Sequence, residues 1–261
     1  MAARRNGQNY RSRLQSATLP RAMQKVLEIS VIVPAANEAD ELPQCLARVQ
    51  GEPNEIIVVD AQSDDGTRAV AEALGCQLLS HPQRHRARQM NLGATAAHGR
   101  ILLFLHADTL LPAGALTKII EAIDRRGALG GAFSRRYRSR SVFLALTSRL
   151  ATLRNHLVGW HLGDQAIFVR RDIFATLGGF HDFPIFEDLD FSRRLRARGK
   201  TVTLTPPVYS SARRFVEKGA LRTTWHDLLL TGRYFFGADP NHLCQSRPDR
   251  LNPLETYERL S

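Results

Sequence analysis

Residues 100–108 read RILLFLHAD, from Arg100 to Asp108. The apolar run Ile101 to Leu105 is too short for an ordinary helix and ends in a polar turn, so it predicts a strand buried on both faces. The strand runs straight into His106 and Asp108, which share one side-chain parity. Upstream the same grammar repeats. Glu28 to Pro34 (EISVIVP) and Glu55 to Val59 (EIIVV) predict buried strands, and Gln77 to Leu79 a short third one. Between them, Asn37 to Gln50, Thr67 to Leu74 and Arg86 to His98 carry helical spacing, the last two stopped by Gly75 and Gly99. Downstream, Pro112 to Arg126 predicts the next helix. This alternation predicts an α/β fold, a Rossmann-like three-layer α/β/α arrangement with a mostly parallel central sheet. Ligands collect at the carboxyl ends of such strands. Three acids fall there: Glu38, Asp60 and Asp108.

The second half is less regular. Gly130 to Arg136, Asp164 to Arg170 and Thr201 to Leu204 predict strands. Val142 to Val158, Arg171 to Leu177, Phe186 to Arg198 and Leu221 to Phe236 predict helices. The helix at Phe186 opens with acids and closes with arginines, which suits its macrodipole. Three parts are expected: a basic tail over 1–27, one α/β domain over 28–215, and a C-terminal helical segment and tail over 216–261.

The chain has 261 residues, 43% of them hydrophobic, enough for a substantial core. No apolar run approaches the roughly 18 residues that would span a bilayer. Cys45, Cys76 and Cys244 lie far apart, an odd count that argues for free thiols in a reducing compartment. Of the net charge of +11, the first 27 residues carry +6 through Arg4, Arg5, Arg11, Arg13, Arg21 and Lys25. That segment has no apolar centre and does not read as a secretory signal. It reads as a solvated tail, as a transit segment, or as a contact to anionic lipid or an acidic substrate. Together these features lead to a cytoplasmic expectation, including contact with the inner face of the membrane. Nucleic acid is not expected, since no basic stripe is interleaved with aromatics. The amphipathic Val142 to Val158 reads as a helix on its own domain, on a homodimer partner, or on a bilayer.

Chemistry on a nucleotide diphosphate needs a held base and ribose, neutralised pyrophosphate, and a proton acceptor for the attacking group. Mg²⁺ or Mn²⁺ on one or two carboxylates usually neutralises the phosphates. Asp108 is placed for that role or for a helix N-cap. His106 is either a ligand, better suited to Mn²⁺ than to Mg²⁺, or a packed histidine. Asp60 can accept from a base imide or a ribose hydroxyl. Asp64 and Asp65 read as turn and capping residues. Glu187 and Asp188 read either as helix-start acids or as a general base; Asp190 reads as a partner of nearby arginines.

These motifs, in this order, resemble the family 2 glycosyltransferases of GT-A fold. The carrying residues are Pro34, Asn37 and Glu38; Asp60 to Thr67; Arg88 to Gly93; Asp108; Gly130-Gly131; Gly163-Asp164-Gln165; and Glu187-Asp188. They span roughly residues 29 to 215. The resemblance implies a nucleotide-diphosphate sugar as donor. Pro34, Asn37, Glu38 and Asp60 would line the nucleotide pocket, with Arg88 and Asn91 on the nucleotide or its phosphates. Asp108 would be the metal acid, and Asp188 of the Glu187-Asp188 pair the base of an inverting displacement on an acceptor hydroxyl. The family's usual Asp-x-Asp is here His106-Ala107-Asp108, a form shared with a bacterial subgroup. A lipid, a carotenoid or a glycan is the expected acceptor class. Two rivals remain: a degenerate domain that binds nucleotide or glycan without turnover, and a nucleotidyltransferase. The latter lacks a glycine-rich loop after the first strand, and the absent G-x-G-x-x-G excludes a dinucleotide dehydrogenase.

Overall fold

The first three parallel strands are β1 (Ile29–Ala35), β2 (Asn54–Asp60) and β3 (Gln77–Ser80) in the computed structural model, which describes residues 27–50 and 54–246. β4 (Ile101–Phe104), β5 (Thr109–Leu110), β6 (Gly130–Tyr137), β7 (Ile167–Arg170) and β8 (Thr201–Ser210) complete one eight-stranded sheet in the order β3-β2-β1-β4-β7-β6-β8-β5. β7 runs antiparallel to β4 and β6, and β5 antiparallel to β8; the other neighbours are parallel.

Ten helices are described: α1 (Leu42–Leu46), α2 (Thr67–Ala73), α3 (Arg86–Ala96), α4 (Ala115–Asp124), α5 (Val142–Val158), α6 (Arg171–Thr176), α7 (Glu187–Arg198), α8 (Arg213–Lys218), α9 (Ala220–Phe235) and α10 (Pro240–Gln245). Side-chain alternation along the strands sorts them into layers. Ile29, Val31 and Val33 of β1 pack in one core with α1, α2 and α4. Ile32 points the other way, into a core built with α3, α6 and α7 around Phe104, Phe174, Phe180 and Phe191. Both faces are covered, as the unbroken apolar strands predict.

The differences have local causes. α1 is five residues long, not the expected run from Asn37 to Gln50. Pro43 restricts its start, and the backbone N–H groups of Glu38 and Ala39 donate instead to Thr67 Oγ1 and Asp65 Oδ2. β8 continues past the expected end at Leu204 through Pro206 and Pro207 to Ser210, pairing β6 across a bulge between Phe133 and Arg135. β5, α8 and α10 have no counterpart in the sequence reading. Residues 1–26 of the expected basic tail and 247–261 of the C-terminal part lie outside the described residues. All three cysteines are free.

Candidate active site

Parallel register brings the carboxyl ends of β1, β2 and β4 side by side, with Ala35 opposite Asp60 and Ile32 opposite Phe104. The loops after them are tied by side chains. Asn37, at φ 59°, accepts from the Asp64 N–H at 3.1 Å and donates its own N–H to Ser63 Oγ at 2.9 Å. Gln89 of α3 donates to the carbonyls of Ala35 and Val59, locking the first two strand ends together. Asp65 accepts from the Thr67 and Ala39 N–H groups, the turn role expected of it, while the N-cap of α2 is Gly66. Asp60 is buried; its Oδ2 meets Arg68 Nη1 at 3.3 Å, while its Oδ1 has no hydrogen-bond partner.

Beyond β4, His106 and Asp188 meet at Gly163. A Cβ on that glycine would lie 2.7 Å from His106 Nε2 and 3.1 Å from Asp188 Oδ2. Only a residue without a side chain lets these groups approach. The Gly163 N–H donates to Asp188 Oδ2 at 2.6 Å, and the Leu189 N–H to Oδ1 at 2.6 Å. Burial raises the Asp188 pKa to about 6, with Glu187 adding to it; the two N–H donors and Arg86 oppose. The positive pole of the α7 N-terminus favours the ionised form, and burial outweighs it. Glu187 is itself buried, 3.7 Å from Arg86 Nη1. Burial also raises Asp108, with Arg86 opposing and Asp164 adding, and Thr109 Oγ1 donates to Asp108 Oδ1 at 3.3 Å. Burial pushes Glu38 up to about 7 against Arg213, which sits 3.4 Å away. Left-handed backbone at Asn37, Ala166 and Phe186 flanks these acids. Such strain in non-glycine residues clusters where function over-determines conformation.

A cleft of 510 Å³ joins Glu38, Arg86, His106, Asp108, Asp164, Glu187 and Asp188. Its far wall comes from α8 and α9 through Arg213, Arg214, Lys218, Asp227 and Thr231, and its floor includes Arg135 and Tyr137. Arg135 pairs with Asp164 and lies over the Tyr137 ring at 4.3 Å. Five of the ten sequence candidates therefore meet in one cavity: Glu38, His106, Asp108, Glu187 and Asp188. Pro34, Asn37 and Asp60 lie beside it at the ends of β1 and β2. Arg88 and Asn91 are engaged elsewhere. Arg88 holds Asp182 with two bonds of 2.7 Å, and Asn91 exchanges two bonds with the backbone of Phe180. Arg86, two residues earlier on the same helix, takes the position on the acids. Sequence reasoning missed Arg86, Arg135 and the α8–α9 wall. The adjacent Arg213 and Arg214 were the one visible signal for that wall. Asp190 pairs with Arg194 at 2.8 Å, as expected of it.

The family model for glycosyl transferase family 2 matches residues 30–216. The chain belongs to glycosyl transferase family 2. Among curated relatives of this family 2 chain, a PGL/p-HBAD biosynthesis glycosyltransferase of Mycobacterium tuberculosis is 31% identical over 189 residues. That match covers 67% of this chain and 72% of the relative. An uncharacterized glycosyltransferase of the same organism is 31% identical over 97 residues, 37% of this chain and 44% of the relative. The chain thus spans less than half the length of that second relative. Among solved structures, TarS 1–349 of S. aureus, determined in complex with UDP, aligns at TM-score 0.59 and 18% identity over 71% of this chain and 60% of that one. The mannosyltransferase PcManGT of Pyrobaculum calidifontis, in complex with GDP-Man and Mn²⁺, aligns at TM-score 0.60 and 21% identity over 88% and 68%. These likenesses show that the family 2 chain has the GT-A fold.

Proposed function

We propose that this protein transfers a sugar from a nucleotide-diphosphate sugar to an acceptor hydroxyl, with inversion at the anomeric carbon. The observation that carries the reading is the single cleft shared by Asp188, His106 and Asp108, with His106 and Asp188 meeting at Gly163 beside the carboxyl ends of β1, β2 and β4. Asp60 Oδ1, buried without a partner, is suited to accept from a base imide or a ribose hydroxyl. Asp188, with a pKa of about 6, is ionised at neutral pH and basic enough to take the acceptor's proton. The deprotonated oxygen forms a bond to the anomeric carbon as the bond to the leaving diphosphate breaks on the opposite side. Arg86 and Arg213, which both line the cleft, would offset the phosphate charge.

A divalent ion fits the residues present. Seven acids line the cleft against five arginines and lysines, and buried Asp164 Oδ1 and Glu38 Oε2 have no hydrogen-bond partner. Among the described residues no three of His, Cys, Asp and Glu close around one point, so the protein would offer Asp108 and His106 and leave other positions to phosphate oxygens and water. Mn²⁺ suits that pair better than Mg²⁺. Such an ion supplies charge stabilisation to the leaving diphosphate.

Calorimetry with UDP and with GDP, each with Mn²⁺ and with EDTA, tests the reading. Binding of one of them that weakens in EDTA is expected. Equal affinity with and without metal overturns the metal site, and no binding of either nucleotide overturns the donor assignment.

A further inference from the structure

α5 is turned inside out for a helix on a soluble surface. Its buried positions are Leu144, Ser148 and Asn155, while Leu146, Leu150, Leu153 and Leu157 are more than half exposed. At about 100° per residue these four leucines and Val142 fall within an arc of about 80°. α9 repeats the arrangement. Leu221, Trp225, Leu228 and Leu229 are exposed within an arc of about 100°, opposite buried Thr223 and Leu230. Apart from Tyr209, every strongly exposed large apolar side chain among the described residues lies on α5, on α8, or on α9 and its C-cap Phe236.

The two stripes belong to one surface. Leu144 of α5 shares a buried cluster with Phe215 of α8 and Ala220 of α9. At the other end Trp160, just after α5, stacks on Phe235 of α9 with ring centroids 4.6 Å apart. The helices are thus joined at both ends. The same α9 lends Asp227 and Thr231 to the wall of the cleft, so the apolar surface borders the mouth of the site. An apolar surface of this extent marks a contact, not ordinary solvent exposure.

Charge chooses the occupant. α5 carries Arg149 and Arg154 and no acid. α8 and α9 add the exposed Arg222 and Arg233, while Arg213, Arg214 and Lys218 line the cleft with Glu217 and Asp227. A second copy of the face would bring these cations against one another, whereas an anionic bilayer neutralises them while accepting the leucines. No helix among the described residues is long and apolar enough to cross a membrane, so the contact lies in the interface plane. We infer that α5 and α9 form a docking face for an anionic membrane surface, which presents a lipid hydroxyl to the cleft. Only the naming of what the bilayer presents rests on the transferase reading.

Vesicle flotation of the full chain without donor tests the face, and its result is independent of whether transfer occurs. Vesicles of phosphatidylcholine with phosphatidylglycerol are expected to bind the protein, and phosphatidylcholine alone to bind it weakly. Leu150→Glu, Leu153→Glu and Trp225→Glu together, all at exposed positions, are expected to weaken binding about tenfold or more with an unchanged melting temperature. A second readout needs no charged substitution. The chain has two tryptophans, so a Trp160→Phe protein reports Trp225 alone, and lipids brominated in their acyl chains are expected to quench it. The inference is overturned by unquenched Trp225, by binding that the triple substitution leaves intact, by no preference for anionic vesicles, or by a wild-type dimer that the triple substitution splits.

Discussion

Glu38 lies 3.4 Å from the Arg213 guanidinium and still titrates near 7, because its burial outweighs that cation and Asp108 and Glu41 add to it. A carboxyl whose folded pKa is raised from 4.5 contributes fully to stability only below about pH 4.5, and the contribution is lost as pH rises through about 7. Glu38→Gln is therefore expected to be about 1 kcal/mol more stable than wild type near pH 8 and no more stable near pH 4, the part-exposed side chain keeping the figure small. Urea titrations at both values check it; a loss of stability near pH 8 would mean that the Arg213 pair dominates. Asp108 and His106 are separable by the same residue-level reasoning. Asp108→Asn removes the one charged ligand proposed for the metal and is expected to lower metal-dependent turnover roughly a hundredfold, with His106→Ala costing less. Steady-state rates against Mn²⁺ concentration decide it. A greater loss in His106→Ala would reverse the ligand assignment.

At the scale of elements, α3 sits unusually close to the sheet. A Cβ on Gly93 would come 2.5 Å from Ile32 Cγ2 and 3.1 Å from Val59 Cγ2. Alanine normally favours a helix by about 1 kcal/mol over glycine, but overpacking here costs about 1–3 kcal/mol. Gly93→Ala is thus expected to lower the melting temperature, and a rise would show that α3 can retreat from β1 and β2. This closeness also explains what the sequence could and could not say. The apolar runs of β1, β2 and β4 are buried on both faces, so their composition alone identified them and placed Glu38, Asp60 and Asp108 at one edge. The choice between Arg86 and Arg88 was invisible, because two positions on one helix differ only in where the neighbouring acids stand: Glu187 for one, Asp182 for the other. β5 and the Pro206–Ser210 part of β8 exist through pairing with distant partners, which no local pattern records.

Across the whole molecule, the cleft closes only when segments from Glu38 to Thr231 assemble, and its far wall comes from α8 and α9, beyond or at the edge of the matched residues 30–216. The expected boundary at 215 falls within α8, and Arg213 and Lys218 line the same cavity from either side of it. In the proposed reaction donor handling belongs to the strand ends, acceptor access to the helical wall, and the two meet at Asp188. Kinetics on that residue tests the proposed transfer. Wild type, Asp188→Asn and Glu187→Gln are assayed for nucleoside diphosphate release from a panel of UDP- and GDP-sugars with Mn²⁺, and for donor affinity by calorimetry. Wild type is expected to turn over one of these donors. Asp188→Asn is predicted to lose roughly 10²- to 10⁴-fold in rate while holding donor affinity close to wild type, with Glu187→Gln less affected. An Asp188→Asn protein as active as wild type, or a wild-type protein inert toward every nucleotide sugar, would contradict it.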